Sequence, residues 1–195
     1  MDFDNGAALG SAAAEFLKAH LIRPGVRDGV ALEPGLTEPE FAAVEERFGF
    51  EFADDHRALL AEVLPAGPSW PDWRNGDELE LRRSAAWPVD GVLFDVQNNC
   101  FWHESWGERP SGDDAAVEQA KAHLAIVPRM IPVYSHRCLP AGRGSFGNPV
   151  LSMYQTDIIY YGFDLLDYVA HEFYVRDPDR PWRHPKPIPF WSDLL

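Results

Sequence analysis

Cross-links and metal clips have little material in this chain of 195 residues, which holds only two cysteines, Cys100 and Cys138. Two are too few for a disulfide framework and lack the paired spacing of a zinc site, so both are expected as reduced, buried thiols. Long apolar runs are missing too. No uninterrupted stretch approaches the length of a bilayer span, and Met1-Asp2-Phe3-Asp4 has neither a basic n-region nor an apolar h-region after it, which makes a soluble, cytoplasmic protein the expectation. Positive charge is scarce: Lys and Arg number 17 against 31 Asp and Glu, a net charge of −14. The deficit lies in the front of the chain, where 24 acidic residues up to Glu118 face 9 basic ones, against 7 and 8 in the remainder. Binders of nucleic acid or anionic membrane gain affinity by neutralising phosphate with Lys and Arg, so both are poor partners for this chain and a basic protein is a better one.

What is present is apolar and ring-rich. Hydrophobic residues make up 46% and aromatic residues 13%, too much for a disordered chain, and the length suits one domain with a substantial core. Residues 7–21 are Ala-rich and predict a helix ending before Pro24-Gly25, in an N-terminal helical extension over residues 1–35. Thr37-Glu38-Pro39-Glu40 has the pattern of a capping box, and Phe41, Val44 and Phe48 follow at helical spacing as a buried stripe. A further helix is predicted over residues 55–64, with Leu59, Leu60, Val63 and Leu64 as its apolar face.

After Gly67 the period changes. Residues 92–96 (VLFDV) read as a strand, residues 131–134 as another, and residues 150–161 as one long or two short strands. Residues 115–126 predict a short helix between the first two, and residues 163–174 an amphipathic helix through Leu165, Leu166, Val169 and Phe173. Five prolines in residues 177–189 exclude regular structure there, yet Ile188-Pro189-Phe190-Trp191 is apolar enough to dock on the domain. This order is that of an α+β fold.

Catalytic and cofactor motifs are incomplete. Gly142-Arg143-Gly144-Ser145-Phe146-Gly147 matches G-x-G-x-x-G, but a strand-like run follows it where a dinucleotide site needs a helix N-terminus. His103-Glu104 and His171-Glu172 each lack the second His that would complete H-E-x-x-H. Walker A, G-x-S-x-G and the deaminase P-C-x-x-C are absent. The expectation is a protein that is not an enzyme, with no catalytic residues, no cofactor and no metal. Candidate residues for a cationic partner are then Glu38, Glu45, Glu46, Asp54, Asp55 and Glu62, with Asp72, Asp77 and Glu78 as a second group.

One stretch poses the question of site against core most sharply. In "FWHESWG", residues 101–107, an imidazole and a carboxylate stand among three rings. Large rings bury far more surface than their neighbours, so an aromatic corner after the strand at residues 92–96 is expected, with His103 and Glu104 facing solvent and Trp70 and Trp73 in the same wall. The expected aromatic core comprises Phe41, Phe48, Trp73, Phe94, Trp102, Trp106, Tyr160 and Trp191.

A family resemblance emerges from the stretches "LTEPEFAAVEERFGFEFADDHRALLAEVLPAG", "WPDWRNG", "IPVYSHRCLPA", "GNPVLSMYQTDIIYYGFDLLDYV" and "IPFWSDLL", together with "FW", "WG" and "RP" between them. From about Leu36 to the C-terminus these resemble bacterial members of the SUKH superfamily, a group named partly for a yeast regulator of cell-wall glucan synthesis. The motifs are patterns of core residues, more specific for fold than for mechanism. The resemblance implies a single α+β domain over residues 36–195, with a mixed or antiparallel sheet and helices packed against it. It also implies an immunity protein that binds and neutralises a cognate polymorphic toxin, often a nuclease or deaminase. The alternative it leaves open is an intracellular regulatory or scaffolding domain with no toxin.

Overall fold

A computed structural model describes residues 3–21, 29–173 and 184–195. The expected irregular stretch is therefore described only from residue 184, and residues 177–183 lie outside the described residues. The elements run α1 (Gly6–His20), β1 (Ala31–Pro34), α2 (Glu38–Phe48), α3 (Asp54–Glu62), β2 (Val63–Ala66), α4 (Glu78–Asn98), a 3-10 turn (Glu104–Trp106), α5 (Asp113–Leu124), β3 (Met130–Tyr134), β4 (Arg137–Pro140), β5 (Val150–Tyr154), β6 (Asp157–Gly162), α6 (Leu165–Phe173) and a closing 3-10 turn (Trp191–Leu194). The fold is α+β, with an antiparallel four-stranded sheet ordered β3-β4-β5-β6 and a separate antiparallel pair β1-β2.

Helix starts follow their capping chemistry. The Asn5 side chain accepts from the Ala8 N–H at 2.9 Å to open α1, and the Glu40 carboxylate accepts from both the N–H and the hydroxyl of Thr37 at 2.7 Å to open α2. Helix α1 is integral to the core: Leu9, Ala13, Ala14, Leu17 and Leu21 are buried. Its close approach to α3 depends on Gly10, where a Cβ would lie 2.2 Å from the Asp55 carbonyl oxygen. The segment expected as an extension thus packs against α3 and α6.

The four-stranded sheet is packed on both faces, least so at the β6 edge, where Ile159 is exposed, and neighbouring residues feed opposite sides as strand geometry dictates. Ile131, Val133, Leu139 and Val150 join the side chains of α1, α2, α3 and α6, including Leu17, Phe41, Leu59 and Val169. Met130, Cys138, Leu151, Met153 and Ile158 join those of α4, α5 and the C-terminal residues, including Val92, Ala120 and Trp191. The closing segment docks as its composition requires: Ile188 and Trp191 are buried, and the Trp191 indole N–H donates to the Pro128 carbonyl at 2.7 Å.

Three expectations change. Residues 92–96 are not a strand; they belong to the 21-residue helix α4. Its buried stripe is Leu81, Ala85, Pro88, Val92 and Val96, at spacings of three and four. Phe94 is consequently not a core residue: it lies about 200° around the helix from Val92 and is 48% exposed. Second, Val63 and Leu64 pair in β2 with Pro34 and Glu33 of β1, so the helical face predicted for them ends at Glu62. Third, Trp70 and Trp73 lie in the α1–α2–α3–α6 core and Trp106 in the other, so they share no wall.

Candidate functional site

The carboxylates marked for a partner are mostly engaged within the chain. Glu38 pairs with Arg57 at 2.7 Å, Glu45 with Arg143 at 2.8 Å, Glu62 with Lys18 at 2.9 Å and Glu78 with Arg82 at 2.8 Å. Asp77 caps α4 by accepting from the Glu80 N–H. Arg74 reaches Glu40, Glu33 and the carbonyls of Pro34 and Gly35, and its guanidinium, with the Thr37 donors, pulls Glu40 down to about 2. Glu46 is the member of the predicted set that is exposed and has no hydrogen bond or ion pair among the described residues.

Asp54 and Asp55 explain the glycine-rich loop. Asp54 accepts from the Gly144 N–H and Asp55 from the Gly147 N–H, each at 2.9 Å. The amides that a dinucleotide phosphate would seek are held by the chain's own carboxylates, and the loop joins β4 to β5 without a helix. Asp55 is fully buried and so withdrawn from any partner surface. Burial pushes its carboxyl up to about 6, with the N–H groups of Gly147 and His56 pulling the other way. The neighbouring His56 imidazole is buried too, and is pushed down to about 3.

The aromatic corner exists, placed after α4. Trp106 is buried and stacks on Phe190 and His123 at centroid distances of 5.6 and 5.3 Å. Trp102 and Tyr160 are half-buried against the same cluster, while Phe41, Phe48, Trp73 and Trp191 are buried as expected. Glu104 faces solvent; His103 does not. Its side chain is 10% exposed, lies against the edges of Trp106 and Phe190, and caps the 3-10 turn through Nδ1.

Among the described residues no three of His, Cys, Asp and Glu gather to hold a metal ion. Cys138 is buried, and burial lifts its thiol to about 12, which makes it unreactive. Cys100 is exposed rather than buried. No described helix is long and apolar enough to cross a membrane.

One concave feature of this surface takes in a single predicted partner residue, Asp72, and is otherwise built from residues that were not marked for a partner. A groove of about 710 Å³ opens between the β2–α4 loop, α4, the β3–β4 turn and the end of β5. Its size falls within the usual range for ligand sites. It is lined by the buried Trp70 and by Trp87 and Tyr154, which are 45% and 56% exposed, with centroids 6.2 Å apart. Trp87 is fixed by donating its indole N–H to the Met153 carbonyl at 3.0 Å. Nearby, Gly91 lets α4 rest on the β5–β6 turn, since a Cβ there would lie 2.8 Å from the Gln155 Cα. Asp95, buried on the same helix, accepts from the N–H and hydroxyl of Thr156 at 2.9 and 2.6 Å.

The groove mixes rings with polar and charged side chains. Asp72 accepts the N–H groups of Arg74 and Asn75 through Oδ1 alone. Oδ2 has no hydrogen-bond partner among the described residues. Glu80 pairs with Arg83 at 3.2 Å, both well exposed. Pro88 has no N–H, so α4 lacks the hydrogen bond that residue 88 would donate to the Ser84 carbonyl. Burial and Arg137 hold His136 below its ordinary range. Trp87 alone links this groove to the second apolar stripe on α4, Leu79, Trp87 and Phe94, opposite the buried one. That stripe becomes readable only once residues 78–98 are taken as one helix. No protein-family model, no curated protein and no solved structure matches the chain.

Proposed function

We propose that this protein is a SUKH-like immunity protein: a non-catalytic cytoplasmic binder that holds and neutralises a cationic toxin acting on nucleic acid. The resemblance described above motivates the reading, and the net charge of −14 gives it a physical basis, because an acidic inhibitor steers a basic partner into contact and disfavours competing nucleic acid. The observation that carries it is the outward face of α4. Leu79, Trp87 and Phe94 are each about half exposed along one helical stripe, beside the exposed carboxylates of Glu78, Glu80 and Asp90. Exposed apolar side chains rimmed by charge are the composition of an interface.

The test is protection. The protein is co-expressed with the cationic toxin domains encoded beside its gene, and survival is scored together with isolation of the complex. The expected outcome is rescue of growth and a complex whose association slows steeply with added salt. Absence of both rescue and complex, or association indifferent to salt, overturns the reading.

A further inference from the structure

We propose that the groove between Trp87, Tyr154 and Asp72 is a receptor for a single arginine side chain presented by the partner. The inference rests on the binding function proposed above and names the contact that anchors it.

Its geometry matches a guanidinium in two respects. The exposed rings of Trp87 and Tyr154 supply π faces, and Trp87 is already locked by its bond to Met153. A planar cation lying over such rings is attracted by their quadrupole, and Arg stacks there more readily than Lys. Asp72 supplies an oriented carboxylate: two backbone N–H groups hold Oδ1, and Oδ2 is left to accept. A guanidinium presents five donors in a plane and so can use the carboxylate while its face lies on a ring.

The charges favour a cation over an anion. Those facing the groove are Asp72, Glu80 and Arg83, and Arg83 is balanced by Glu80. The N-terminus of α4, the one helix end at the groove that could attract an anion, already carries Asp77, Glu78 and Glu80. Half-exposed rings cost little to desolvate further, and their positions are set before binding, which lowers the ordering cost of association.

The experiment titrates the isotopically labelled full chain with N-acetyl-arginine methylamide, following the indole N–H resonances, with N-acetyl-glutamate methylamide and inorganic phosphate as counter-probes. The arginine probe should shift the Trp87 signal saturably. Asp72→Asn, which keeps the Oδ1 acceptor, and Tyr154→Ala, at an exposed ring, should each weaken that binding about fivefold without lowering the melting temperature. No Trp87 shift, an equal shift from phosphate or the glutamate probe, or full affinity in both variants overturns the proposal. A toxin that binds both variants as tightly as wild type sinks the groove and leaves the immunity function standing. An arginine probe that fills the groove of a protein giving no protection sinks the immunity function and leaves the groove standing.

Discussion

The two layers packed on the sheet differ in how their charge and apolar surface are used. On the side of α1, α2, α3 and α6, carboxylates are tied to cations from distant parts of the chain: Glu38 to Arg57, Glu45 and Glu51 to Arg143, Glu40 and Glu33 to Arg74. Asp54 and Asp55 are tied to backbone amides. On the side of α4 and α5, ion pairs such as Glu78–Arg82 and Glu80–Arg83 stay within one helix and in water, where such pairs contribute little. That side also keeps Leu79, Trp87 and Phe94 in solvent. A count of carboxylates locates acidity along the chain; only the pairing shows which layer has unused recognition surface.

The strongest way to break the contrast is to damage each layer's core and compare. Phe41→Ala in one and Trp191→Ala in the other remove fully buried rings and should each cost about 3 to 5 kcal/mol in urea unfolding. Trp106→Ala should behave like Trp191→Ala, and Glu104→Ala like wild type. A tolerated Trp191→Ala would mean that the C-terminal segment lies on the domain without completing it.

The buried pair Asp55 and His56 sharpens the contrast through pH. His56 stays neutral in the fold down to about 3, so the unfolded chain takes up the extra proton and stability falls as pH drops from about 6.5 toward 3. Asp55, raised to about 6, acts oppositely: the folded state takes up the extra proton, and stability rises as pH falls from about 6 to about 4. Between those values the two slopes cancel. His56→Phe removes one of them, so the stability of the variant relative to wild type should climb by roughly 3 kcal/mol between pH 6 and pH 4. Parallel pH profiles would show that burial does not set these two groups.

The smallest effects belong to the outward face of α4 and to the unpaired acid of α2. Phe94→Ser and Glu46→Lys should each move stability by less than about 0.5 kcal/mol in a thermal melt. A larger loss from Phe94→Ser would show that its ring packs against the fold.

Much of the architecture was legible because local chemistry and tertiary packing agree. Thr37 and Glu40 mark a helix start that is used, Phe41, Val44 and Phe48 mark its buried stripe, and residues 150–161 resolve into the β5–β6 hairpin. The apolar run at residues 92–96 misled because short runs fit a strand or a buried helix equally well. The Trp87-Pro88 and Gly91 positions, which look like breakers, are absorbed by α4. Strand β4 at Arg137–Pro140 gave no periodic signal, being four residues long. The groove was illegible for a different reason: its walls come from residues 69–72, 76, 80–81, 83–84, 87, 135–136 and 154, which only the fold brings together. Pairing was equally invisible, since nothing local in Glu45 announces Arg143, 98 positions away.

The sheet's two buried faces bear on how the molecule comes apart. Val150 and Leu151 are neighbours in sequence yet serve opposite cores, as do Met130 and Ile131, and Cys138 and Leu139. Neither core has a wall of its own, so melting one strips the packing from the strands that support the other. Heating should therefore give a single calorimetric transition whose van't Hoff and measured enthalpies agree. Expressed alone, neither half of the chain would retain a fold, and an insertion tolerated by one layer must leave the shared strands in register for both.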